Sequence, residues 1–212
     1  MRWLGEHTKP GWKDLQPSEK AAFGFRDLAA PAARAEACVG CHVGGPGKEI
    51  THAMMAAGHP PLGFDGSYFD RMPPHWRDDD PEAAGLAAWT ASARADAKAH
   101  LLRAARQGEA GWPDFAAFDC YACHHAPYAE GPYQGGSGGR PGDLPLDLAG
   151  LEVWARAAGA APPGKITWTP GSDPRPFADR ARKAAAELER APAPPLGRAA
   201  LRSNLDAWLA RV

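Results

Sequence analysis

The chain has 212 residues, enough for one domain of ordinary size or a domain with an appendage. Its formal charge of -1 leaves no electrostatic footprint for nucleic acid. No stretch approaches the roughly 20 apolar residues of a membrane-crossing helix, so its distinctive chemistry must lie elsewhere, in its cysteines and histidines.

Residues 1–17 form a turn-rich lead-in with Pro10, Gly11 and Pro17. Ser18, followed by Glu19, Lys20, Ala21 and Ala22, predicts a short helix ending near Gly24. Residues 32–37 predict a turn of helix running into Cys38-Val39-Gly40-Cys41-His42. A helix is predicted over 51–57, with Thr51 as N-cap and Gly58 as stop, and Pro60 and Pro61 forbid its continuation. His52 and His59 are two helical turns apart and are expected on nearly the same side. Residues 73–76 and 78–81 read as a linker-like loop.

The longest helical signal covers 82–107, where Leu86, Trp89, Ala93, Ala97, Leu101 and Ala104 recur at three- and four-residue steps. Gly108 and Gly111 are expected to close it. Residues 112–126 then carry Cys120-Tyr121-Ala122-Cys123-His124, expected at a helix end. The glycine-rich stretch 131–142 predicts a mobile loop. Helices are predicted over 148–158 and 176–190, and a last amphipathic one over 197–212, after a break at 192–195. No strand pattern stands out. The expectation is a mainly α fold with extensive loops.

Every cysteine belongs to one of two C-x-x-C-H motifs, the pattern for covalent haem attachment. Cys38 and Cys41, and again Cys120 and Cys123, are spaced to form thioethers to the two vinyl groups of one porphyrin. The histidine that follows, His42 or His124, is placed as the proximal iron ligand. The expected cofactors are therefore two covalent haem c groups with their iron. Residues 1–130 are then expected as a dihaem cytochrome c domain, or the C-terminal part of a larger multihaem one. Residues 131–147 form a Gly/Pro-rich loop, and 148–212 an α-helical C-terminal extension.

A zinc ribbon also uses two C-x-x-C pairs, but these stand about 15–20 residues apart. Here they are much farther apart, and a histidine follows each. A thioredoxin-like dithiol would need surrounding strand and helix alternation, which is missing. The Gly44-Gly45-Pro46-Gly47-Lys48 run fails as a phosphate loop. His42 takes the place of its first glycine and Glu49 that of its Ser or Thr.

Six histidines remain as candidates for the sixth iron position: His7, His52, His59, His75, His100 and His125. His125 cannot serve the haem held by His124, because adjacent side chains diverge, but it can reach a neighbouring haem or a propionate. His59 is locked by Pro60 after a helix stop and is the favoured distal ligand, with His52 as its substitute. His75 reads as a packed loop residue and His100 as a half-buried one on the helix edge. Met54 and Met55 are possible thioether ligands that read better as core, and Trp76 or Trp112 would line a haem edge. A bis-histidine iron suits electron transfer, whereas an open position would admit a small molecule.

The residues Arg2-Trp3-Leu4-Gly5-Glu6-His7, Arg34-Ala35, the first motif with Val43-Gly44, and Thr51-His52-Ala53-Met54-Met55-Ala56-Ala57-Gly58-His59-Pro60 resemble a known family. So do Pro74-His75-Trp76 and Asp119-Cys120-Tyr121-Ala122-Cys123-His124-His125. The resemblance, over roughly residues 1–128, is to multihaem c-type cytochromes related to cytochrome c-554, the electron acceptor of hydroxylamine oxidoreductase. It implies further C-x-x-C-H motifs upstream, with His7 as distal ligand to one of those haems. It also implies that a five-coordinate haem can occur in the group.

Haem is attached to this motif outside the cytoplasm in bacteria, so a periplasmic or otherwise exported protein is expected. Met1 to His7 lack the apolar core of a signal peptide, which implies that the signal was removed or that the chain begins late. The favoured expectation is a relay of single electrons between redox partner proteins, upstream haems or another multihaem cytochrome. The alternative is a haem enzyme acting on a small nitrogen or sulfur species; a third reading is a colourless zinc-binding module. Haem propionates add negative charge to the chain, which suits docking with a basic partner.

Overall fold

The computed structural model describes residues 3–59, 62–66, 81–124, 143–157, 159, 164–191 and 197–210. Within them the protein is mainly helical: α1 (Trp3–Glu6), α2 (Pro17–Ala21), α3 (Pro31–His42), α4 (His52–Ala56), α5 (Pro81–Glu109), α6 (Ala149–Ala157), α7 (Arg175–Arg190) and α8 (Arg198–Leu209). Short 3-10 turns stand at Trp12–Asp14, Phe115–Ala117 and Cys120–Ala122. None of the described helices is long and apolar enough to cross a membrane.

The organising element is α5. Its sequence is dominated by alanine, the best helix former, and its one proline sits at the first position, where no hydrogen bond is lost. Ala97, Leu101, Ala104 and Ala105 are buried along one stripe and meet Phe118, Leu151, Trp154, Trp168 and Phe177 in the main core. Small side chains let neighbours come close. A Cβ on Gly108 would stand 2.9 Å from the Ala178 Cβ, which marks the tight approach of α5 and α7. Helix α7 answers with Phe177, Ala178, Ala181, Ala185 and Leu188, spaced to bury one face.

A second apolar contact brings α3 onto α5. Ala35, Val39 and Val43, each four residues apart, pack on Ala95 with Phe64, Ala91 and Ala99 around them. Helix α6 also packs on α5, and α8 on α6. The main core thus draws on residues from both sides of the 131–142 stretch.

Several local expectations change. Helix α3 runs through the first motif and ends at His42, rather than stopping before it. Helix α5 passes Gly108 and ends at Glu109; Gly111, with φ 99°, lies in the turn beyond. The second motif does not end a helix but sits on a 3-10 turn, because Pro113 and Asp114 break the helical run and Asp114 caps a separate turn. A strand pair was not expected, yet β1 (Leu144–Pro145) and β2 (Thr167–Trp168) pair antiparallel, Leu144 opposite Trp168. Two residues a side are too few for an alternating pattern to show. The predicted loops at 73–80 and 131–142 and the break at 192–195 lie outside the described residues.

Candidate functional site

Helix α3 presents the first motif. Its buried stripe faces α5, which leaves Cys38 half-buried and Cys41 and His42 exposed on the remaining surface. The two thiols are one helical turn apart, the spacing at which side chains are neighbours. Burial pushes the Cys38 thiol up from its ordinary value, with Arg34, one turn back, opposing. After His42 the chain turns at Gly44, whose φ of 96° only glycine holds without strain and whose Cβ would stand 2.8 Å from the Lys48 carbonyl oxygen. The His42 ring packs at 5.3 Å on Phe64, whose backbone N–H donates to Asp96 Oδ1 at 2.8 Å.

The second motif is a turn held from two directions. The His124 N–H donates to the Cys120 carbonyl at 2.8 Å, closing the motif on itself. Just before it, the Asp119 N–H donates to the Pro145 carbonyl at 2.9 Å, and the Asp147 N–H donates to the Ala117 carbonyl at 3.1 Å. The segment around β1 therefore anchors the chain that enters the motif. Cys120 and Cys123 are both exposed, and none of the four cysteines is joined in a disulfide.

Opposite His124 stands His52, on α4. The two ring centroids are 6.1 Å apart and the planes 27° from parallel. A metal–imidazole bond of about 2 Å, with the ring centre about 1 Å behind the ligating nitrogen, puts two imidazoles on opposite sides of one ion roughly 6 Å apart. His52 and His124 match that distance between ring centres, in a stacked arrangement. Ordinary aromatic pairs also fall at about 4.5–7 Å. What singles this pair out is its setting, since one ring closes the motif and the other comes from a distant segment. Phe115 lies edge-on to His52 at 6.1 Å, and Trp112 edge-on to Phe115 at 6.0 Å. Both aromatics remain exposed, Phe115 at 43% and Trp112 at 57%. Two exposed aromatic side chains, two exposed thiols and two neighbouring imidazoles supply the donor types and apolar contact that a haem needs.

The other sequence candidates fare differently. Helix α4 starts as predicted, with the Thr51 hydroxyl accepting from the Met54 N–H at 3.2 Å, but it ends at Ala56. His59 lies beyond the Gly58 turn and is exposed, so it no longer shares a helical face with His52. Met54 is 41% exposed rather than core, because α4 is too short to bury two successive positions; Met55 is half-buried. His100 is buried, not half-buried, and its Nε2 lies 3.7 Å from Asp96 Oδ2. His7 is exposed. His125, His75 and Trp76 lie outside the described residues. The two cysteine pairs do not form one zinc cluster: no group of three or more His, Cys, Asp or Glu is gathered as an ion site among the described residues.

Two further residues belong to the second site. Asp114 accepts from the His52 N–H and the Ala116 N–H, both at 2.9 Å. Arg103, fully buried on α5, donates to the Ile50 carbonyl at 2.8 Å and the Ala116 carbonyl at 3.2 Å. Asp114 after Pro113 carried a turn signal in the sequence. Arg103, beside an alanine-rich stripe, carried none.

Comparison of the chain with known protein-family models, characterised proteins and solved structures finds no match.

Proposed function

We propose that this chain is an exported c-type cytochrome that carries two covalently attached haems and relays single electrons between redox partners. The observation that carries the reading is that the His52 ring comes from a distant segment to stack 6.1 Å from that of His124, which closes a motif whose Cys120 and Cys123 thiols are exposed. Cys38 and Cys41 would hold the first haem with His42 as its proximal ligand; Cys120 and Cys123 would hold the second, with His124. When bound, haem supplies a one-electron iron couple whose potential follows axial ligand, burial and nearby hydrogen bonds.

The chain's own part is placement. Helix α3 fixes two thiols and an imidazole at its last turn, and the β1 segment fixes the turn that bears the second set. A protein ligand on each side closes an iron to exogenous molecules, which favours electron transfer over small-molecule chemistry at the second site. Exposed attachment residues keep a haem edge close to the surface, where a partner docks. The test is expression with export in a host that has the c-type maturation machinery. Intact mass and denatured visible spectra should show two covalent haems, and protein without covalent haem would reject the reading.

A further inference from the structure

Nothing local sets the distance between His52 and His124, which come from opposite ends of the α4-to-motif stretch with all of α5 between them. Their separation is determined by whatever ties the 50–52 segment to the 114–117 turn. Two side chains do this. The Asp114 carboxylate receives the backbone N–H of His52 itself and, through the same oxygen, that of Ala116. From below, the Arg103 guanidinium donates to the carbonyls of Ile50 and Ala116, one on each segment. Arg103 Nη2 also lies 3.8 Å from Asp114 Oδ1, so the two groups form one hub. Gln107, one turn along α5, accepts from the Asp114 N–H at 3.2 Å and fixes the hub to the same helix.

The cost of this arrangement argues that it has a purpose. A guanidinium at 0% exposure is expensive unless its hydrogen bonds are met, and a packed apolar side chain would commonly serve stability as well. What an apolar side chain would not do is bind two backbone carbonyls from different segments in a fixed fork. We propose that Arg103 and Asp114 are positioning residues that hold His52 in register with His124, and so keep the haem at Cys120 and Cys123 six-coordinate. This rests on the haem reading above and adds to it the identity of the sixth ligand and of the device that places it.

The experiment compares the full-length holoprotein with His52→Ala, Asp114→Ala, Asp114→Asn and Arg103→Lys. Readouts are the low-spin fraction, the rate of cyanide binding and the midpoint potentials, with urea stability as control. The wild type should hold two covalent haems; if it holds none, the haem reading itself falls. His52→Ala should leave both haems attached and turn one of the two high-spin. Asp114→Ala should raise the cyanide rate at that haem by about 10-fold, the low end of the effect on affinity or activity when a partner that orients a metal ligand is lost. Asp114→Asn keeps a carbonyl oxygen for both N–H groups and should restore most of the wild-type behaviour. Arg103→Lys covers the event that Asp114→Ala does not fold, since lysine keeps the charge but not the fork. Two low-spin haems in His52→Ala would overturn the ligand assignment. A hub variant that is less stable but has unchanged spectrum, cyanide rate and potential would overturn the positioning role.

Discussion

The pair Asp96 and His100 makes a prediction that can be worked from the structure. They lie one turn apart on α5 and line a cavity of about 150 Å³ with Asp147, Leu62, Leu148 and Leu151. Burial pushes the Asp96 carboxyl up from 3.8 to about 6; Asp147 and Asp65 add to this, against the Phe64 N–H. Burial also pushes His100 down from 6.5 to about 4, with Arg103 assisting and Asp147 opposing. Asp96 prefers its proton when folded, so its contribution is present below about pH 4 and is lost as pH rises through about 6. His100 prefers to be neutral when folded, so its contribution is present above 6.5 and is lost as pH falls towards about 4. Each is worth about 3 kcal/mol at about 1.4 kcal/mol per pH unit, and over pH 4 to 6 they oppose and nearly cancel. Asp96→Asn should therefore gain stability with rising pH relative to wild type, and His100→Gln should lose it, each by about 2 kcal/mol across this window. Urea unfolding followed by far-UV circular dichroism at half-unit steps measures it. Background titrations common to all three proteins cancel in the difference curves. Variant curves parallel to the wild type would refute the buried-pair account.

Other substitutions probe packing and attachment. Gly108→Ala should destabilise by about 1–3 kcal/mol in urea despite alanine's better helix propensity, because its Cβ meets the Ala178 Cβ at 2.9 Å and the Pro174 carbonyl at 3.2 Å. Gly44→Ala should cost about 1–2 kcal/mol from its left-handed backbone alone, and more from the contact with the Lys48 carbonyl, read as a lower thermal midpoint. Leu101→Ala should cost about 2–5 kcal/mol, the range for a fully buried leucine. Replacing both Cys120 and Cys123 by alanine should reduce the intact mass by one haem and leave the first site loaded.

Much of the fold was legible because its signals are local. The alanine-rich periodicity marked α5, Thr51 marked the start of α4, and the 176–190 stretch read as a helix, which α7 is. The two C-x-x-C-H motifs were legible for the same reason. Tertiary contacts decide what residue spacing leaves open. His59, followed by Pro60 in the sequence, lies beyond the end of α4 at Ala56, while the His52 ring stacks on that of His124, a contact that residue spacing does not announce. The turn around Cys120 depends on β1, whose hydrogen bonds come from a segment far along the chain. Arg103 and Asp114 act by joining backbone groups of separate segments, a relation that residue spacing cannot encode.

The measurement that tests the central claim most directly is the haem content and redox-difference spectrum of the protein exported by a host competent in c-type maturation. The account predicts two covalent haems per chain, with low-spin character at the haem held by Cys120 and Cys123, lost from that haem alone in His52→Ala. Protein that matures without covalent haem, or that carries zinc in its place, would contradict it.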